Sequence, residues 1–373
     1  MSLEILTEMS NRYGSNEDFV LAGGGNTSFK ENGTLYVKGS GVSLSEIKFG
    51  QFVMLDLEKL LKIVDSGYLT DKTQDEKEKQ ALLDIMKARL PGEENKHPSV
   101  ETVLHALFPF SYVLHVHPPL INGLSCSNHG KKACDKLFGD KVVWIELEKP
   151  GFTLAQKCNK AFKEYKKEKG NHPQVVILQN HGVFISANTV FEIDGLMDYI
   201  VGIIKENINE FPSFASVNYD KKLVSSITGK LKEIYSKDTA KNSAVVEFCT
   251  NEKVREFVSS KKSFIPVSKS FTPDHIVNCK DEPLFIVSPG ELEPEFDNYT
   301  KKKGFKPKIV AIQGLGFFAL GEDETNAKRA KASYLDLIKI ATFASSFGGD
   351  NPPPGEFTEF ILSWENESYS SKA

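Results

Sequence analysis

Apolar and polar positions change period several times along the chain, and each change marks an element. Leu3, Ile5, Leu6 and Met9 recur at helical spacing and predict a short amphipathic helix over residues 2–13. Leu35-Tyr36-Val37 reads as a short strand that runs into the small-residue turn Lys38-Gly39-Ser40-Gly41. Residues 51–65 give a strand and then the start of a helix, and residues 70–90, dense in both charges, a helix with a solvated face. Val100, Val103, Leu104 and Leu107 repeat at three to four residues, which places Glu101 in a helical segment. A strand ending in Leu114-His115-Val116-His117 follows it. Residues 141–147 and 174–179 are buried-type strands, with a lysine-rich helix over 153–169 between them.

The second half has its own pattern. Residues 207–218, around Pro212, read as a linker, and residues 220–262 as charged helices. FTPDHIVNC, PLFIVS and the run from Lys308 to Phe318 then form a second strand-rich region. VVILQNHGVFISAN and IVAIQGLGFFALGE align without a gap at an offset of 134 residues (313 − 179), which sets Gly182 on Gly316 and His181 on Leu315. The expected organisation is a first domain over 1–210, a helical linker over 211–245, an α/β domain over 246–350 and a tail over 351–373. The third segment is read as a shortened, degenerate repeat of the first that has lost its metal ligand, the plain alternative being a convergent strand-turn-helix.

Composition narrows the function classes. A chain of 373 residues exceeds the usual single core, and 40% hydrophobic with 26% charged residues is a soluble globular balance. No apolar run approaches the roughly 20 residues that span a bilayer. The N-terminus carries acids and lacks a basic start before an apolar core, so no secretory signal is expected. A net charge of −4 argues against nucleic acid as a partner. Five cysteines without a CxxC pair support neither a disulfide framework nor a cysteine metal site. The expectation is a cytoplasmic enzyme with no membrane partner.

The candidate chemistry lies in four residues. On a strand, His115 and His117 point to one side, so two imidazoles could share one metal ion. His181 ends an apolar strand just before Gly182, where it could close the site, and Glu101 offers a carboxylate at a helix start. The plain alternative is that these histidines are ordinary strand residues. Gly23-Gly24-Gly25-Asn26-Thr27-Ser28 and Lys38-Gly39-Ser40-Gly41 are two small-residue turns that either wall one anion pocket or simply reverse the chain. Neither matches the dinucleotide fingerprint or the P-loop. Of the other histidines, His105 is read as packing on its helix, and His129 and His172 as solvent-exposed; Cys126 is read as a buried small residue.

Taken together and in order, GGGNTS, KGSG, HPSVET, LHVHP and LQNHGVF resemble the class II aldolase/adducin family. Within it, PSVETVLHALFPF and FTPDHIV are most similar to the aldolase part of rhamnulose-1-phosphate aldolase/dehydrogenase fusions. The resemblance implies a three-layer α/β/α fold around a mostly antiparallel sheet, a homo-oligomer, and Zn2+ or another divalent metal held by His115, His117 and His181. It implies Glu101 as the catalytic base, and Asn26, Ser40, Gly41 and Ser99 as holders of a substrate phosphate. A second serine usual at the phosphate site is Val100 here, so only its backbone N–H could contribute. The implied activity is cleavage of a ketose 1-phosphate to dihydroxyacetone phosphate and an aldehyde, the metal spreading the enediolate charge. Sugar-phosphate epimerases, decarboxylases and dehydratases share the fold and are the alternatives, with a non-catalytic adducin-like binding protein as a third class. The dehydrogenase part of the fusions has no counterpart before Ala373, so no NAD-dependent activity is expected in this chain.

Overall fold

The computed structural model describes residues 2–370 apart from 22, 66, 70 and 238–243, and no side chain beyond 363. The chain divides into two compact units, residues 1–125 with 130–207, and residues 126–129 with 208–373.

The first unit contains strands β1 (Asn26–Glu31), β2 (Thr34–Lys38), β3 (Phe52–Asp56), β4 (Tyr112–Val116), β5 (Val142–Ile145), β6 (Val175–Leu178) and β7 (Gly182–Ala187). Its helices are α1 (Ser2–Gly14), α2 (Leu57–Ile63), α3 (Gln74–Lys87), α4 (Thr102–Leu107), α5 (Pro119–Ser125), α6 (Gly130–Phe138), α7 (Phe152–Lys169) and α8 (Val190–Glu206). The strands form one sheet in the order β3-β2-β1-β4-β7-β6-β5, antiparallel throughout except for the β5–β6 pair.

One face of this sheet is covered by Leu60 and Ile63 of α2, Ala81 and Ile85 of α3, and Val103 and Leu104 of α4. Phe152, Leu154, Ala155, Cys158 and Phe162 of α7 complete that layer. They pack on Leu35, Val37, Val53, Leu55, Val113, Val176 and Phe184 of the sheet. Helices α1, α5 and α8 lie against β1, β4 and β7 from the other side, which gives the three layers. Local chemistry sets the helix starts. Thr73 and Glu76 form a capping box at α3, as Thr189 and Glu192 do at α8.

The second unit contains α9 (Lys221–Ser236), β8 (Val245–Cys249), α10 (Glu252–Phe257), α11 (Lys261–Phe264), α12 (Pro273–Cys279), β9 (Leu284–Ile286), α13 (Leu292–Lys303), β10 (Ile309–Ile312), β11 (Gly316–Gly321), α14 (Glu324–Ala344) and α15 (Gly355–Ser370). Three expectations differ from this. FTPDHIVNC is helix rather than strand, because Thr272 caps it and Pro273 occupies its first turn. Strand β8 lies inside the stretch read as charged helices. The segment read as a tail carries α15, which buries Phe357 and Ile361 one turn apart.

The sheet order β8-β11-β10-β9 matches β4-β7-β6-β5 in sequence and in pairing sense, with one parallel pair at the same edge. Individual bonds correspond as well. Gln179 N donates to Ile145 O at 2.9 Å, and Gln313 N to Ile286 O at 2.8 Å. Ser186 N donates to Gln174 O at 2.8 Å, and Leu320 N to Lys308 O at 2.8 Å. His115 pairs with Phe184 across the first sheet, and Phe248 with Phe318 across the second.

Candidate metal centre

The site is built at one end of β4 and the β6–β7 turn. Alternation along β4 sends Val113 and His115 to the face that α4 covers, and β1 lies alongside with Asn26 opposite His115 and Ser28 opposite Val113. Asn180, at φ 54°, turns the chain between β6 and β7 in the left-handed region that asparagine tolerates. That turn delivers His181. Ligand nitrogens of His115, His117 and His181 all lie within 4.8 Å of one another.

Packing fixes the ring orientations. His115 Nδ1 lies 3.0 Å from Val183 O, so Nδ1 carries the proton and Nε2 faces the other histidines. Its ring stacks on Phe184 with centroids 4.0 Å apart. His115 Nε2 and His117 Nε2 are 2.9 Å apart. Asn122 donates to the carbonyl of His181 at 3.1 Å. Gly182 is required by close approach, since a Cβ there would sit 2.4 Å from His117 Cδ2 and 2.6 Å from Val116 O. Gly182→Ala is expected to cost about 1–3 kcal/mol of stability, as overpacking does, and to displace His117. Denaturant unfolding beside metal titration measures both effects.

Glu101 sits at the N-cap of α4 and is buried beside this cluster. Its Oε2 is 3.3 Å from His115 Nε2, and its Oε1 is 3.5 Å from His181 Nε2. Asn26 Nδ2 donates to Oε2 at 2.8 Å, whereas Oε1 is buried without a hydrogen-bond partner. An unpartnered buried carboxylate oxygen beside three imidazole nitrogens is a donor set that suits a divalent cation. The residues present therefore fit a metal.

The expected phosphate holders separate into two groups. Ser40 and Gly41 are exposed and Ser99 is half-buried; Ser40 N donates to His97 O at 2.7 Å, which joins the KGSG turn to the HPS segment. Asn26 is buried at the end of the glycine loop, and both ends of its side chain are engaged, the amide nitrogen with Glu101 and the oxygen with His105. GGGNTS is a turn only as far as Gly25, because β1 begins at Asn26. Lys38, also buried, donates to Gly23 O at 3.4 Å and brings a positive charge to the glycine loop.

Two further residues belong here: His105, whose sequence context suggested only packing on its helix, and Ser28. His105 Nδ1 lies 2.8 Å from Ser28 Oγ, and its Nε2 meets Asn26 Oδ1. A signal for His105 existed in the sequence, since positions 101 and 105 share a helix face. Burial, and then the positive charge of Lys30, holds the His105 pKa well below its ordinary value of 6.5, so the ring is neutral. The unfolded chain protonates this histidine below about pH 6.5 while the folded chain does not, so stability falls as pH falls. Wild type should lose up to about 1.4 kcal/mol per pH unit below about 6.5 beyond the loss in His105→Gln, read from denaturant unfolding across pH.

The family model for the class II aldolase and adducin N-terminal domain matches residues 6–205. A curated protein of Bacillus subtilis (strain 168), named the uncharacterized oxidoreductase YuxG, is 24% identical over 414 aligned residues, covering 98% of this chain and 56% of that protein. The chain thus spans about half the length of that relative. Among solved structures, the N-terminal class II aldolase domain of a conserved protein from Thermoplasma acidophilum is 28% identical, covering 55% of this chain and 92% of that one, at a TM-score of 0.45. L-fuculose-1-phosphate aldolase from Thermus thermophilus is 15% identical, covering 54% and 90%, at a TM-score of 0.35. With more than half its residues matched by the family model and the fold and histidine cluster in place, the chain belongs to the class II aldolase and adducin N-terminal domain family.

Proposed function

We propose that the chain is a metal-dependent aldolase that cleaves a ketose 1-phosphate, of the rhamnulose or fuculose 1-phosphate type, into dihydroxyacetone phosphate and an aldehyde. The observation that carries this reading is the convergence of His115, His117 and His181 on one point with the Glu101 carboxylate beside it. The three histidines would hold zinc or another divalent cation. When bound, such a cation supplies Lewis-acid stabilisation of charge developing on the substrate oxygens, worth several kcal/mol. Glu101 takes a proton from the substrate and returns it, at the oxygen that lacks a partner. Ser40, Gly41 and Ser99 bind the phosphate and so position the reacting carbons, with Lys38 adding charge at the neighbouring glycine loop that Asn26 ends. Burial of Glu101, His115 and His181 excludes water, while half-buried His117 marks the open side.

The proposal extends to a homo-oligomer acting on a soluble sugar phosphate in the cytoplasm. Among the described residues no helix is long and apolar enough to cross a membrane. Coverage of about half of a protein named as an oxidoreductase supports a reading in which oxidation of the aldehyde is carried outside these residues. We read the second unit as a degenerate relative of the first, with Phe248 and Leu315 where the first has His115 and His181. It should hold no metal of its own.

Incubating the metal-loaded protein with rhamnulose 1-phosphate and fuculose 1-phosphate, and assaying dihydroxyacetone phosphate, tests the activity. Release of triose phosphate supports the aldolase. An isomeric sugar phosphate as product, without triose phosphate, would move the reading to an epimerase.

A further inference from the structure

We propose that His105 is the positioning residue for Glu101, acting through the Asn26 amide. The inference rests on the metal-site reading of Glu101 and the three histidines, and deepens it. Four side chains form an unbroken buried chain, Ser28 to His105 to Asn26 to Glu101. Its donors and acceptors can be assigned in only one direction. Asn26 Nδ2 must donate to the Glu101 carboxylate, so Asn26 Oδ1 must accept from His105. His105 therefore carries its proton on Nε2, and its Nδ1 accepts from the Ser28 hydroxyl.

The consequence falls on Glu101. An Asn26 amide turned the other way would set its oxygen against a carboxylate oxygen, and the His105 Nε2–H is the group that prevents this. With Oε2 held at 2.8 Å by Asn26, Oε1 stays on the His181 side without a protein hydrogen bond. His105 thus acts on the base through another residue.

Cobalt(II) alone, titrated against a competing chelator, is the probe. His105→Leu is expected to weaken cobalt binding ~10-fold or more, the usual effect of disturbing the outer partners of a metal site, here those that aim the Glu101 Oε1 at the histidine cluster. His105→Gln, whose amide nitrogen reaches the place of Nε2, should bind within about threefold of wild type, and His105→Asn, which reaches only the place of Nδ1, should behave like leucine. The double variant His105→Leu/Asn26→Leu should be no weaker than Asn26→Leu alone, because both break one path. Ser28→Ala removes only the tautomer lock and should cost about fivefold, the worth of one hydrogen bond, in a protein that keeps its packing. Normal cobalt binding by His105→Leu, or losses that add in the double variant, would overturn the inference and leave the metal site standing. Should the leucine variant not fold, the contrast between glutamine and asparagine decides alone. No cobalt uptake by wild type would bring down the site reading and this inference together.

Discussion

His181→Ala is expected to lose bound metal and to lower kcat/KM for ketose 1-phosphate cleavage by at least ~10³-fold, the rate equivalent of several kcal/mol of Lewis-acid stabilisation. His181 supplies one of three nitrogens within 4.8 Å of one another, and its main chain is fixed by the Asn122 donor and the Asn180 turn. Alanine removes the ligand without disturbing that backbone. The fold should therefore persist, and circular dichroism beside elemental analysis checks both halves of the expectation. Retained metal with retained activity would mean that the cluster is a packing feature.

Glu101→Gln separates binding of the metal from proton transfer. The amide keeps the shape of the side chain and an oxygen that can accept from Asn26, yet cannot take a proton at neutral pH. Turnover should fall by about 10²–10⁴-fold, the usual contribution of a positioned acid–base group, while the three histidines still hold metal at saturating concentration, with the same ~10-fold loss of affinity that mispositioning the carboxylate causes. Steady-state kinetics on the metal-loaded variant measures this. A change confined to KM would instead assign Glu101 to substrate binding.

What could be read from the sequence follows the strength of local periodicity. Alternation through Leu114-His115-Val116-His117 placed two histidines on one face. The glycine after His181, read as a turn, instead opens β7 at a point where only a small residue fits beside His117, the turn itself falling at Asn180. Other features depended on pairing that periodicity does not carry. Asn26-Thr27-Ser28 looked like a turn because its residues are polar, yet all three are buried, with Asn26 opposite His115 and Ser28 against His105. The contact between His105 and Asn26 joins positions 79 apart. Strand β8 escaped notice because its apolar run, Val245-Val246-Glu247-Phe248-Cys249, is short and lies within a stretch whose charges dominate the pattern. The likeness of VVILQNHGVF to IVAIQGLGFF did carry through to matching sheet orders.

Metal content of the purified protein, measured by elemental analysis beside His181→Ala, tests the central claim most directly. One divalent ion per chain, absent from the variant, is the predicted result, and it also accords with a second unit that binds none. A wild-type protein that holds no metal and takes up none on reconstitution would contradict the account, leaving the family's non-catalytic binding role as the reading to pursue.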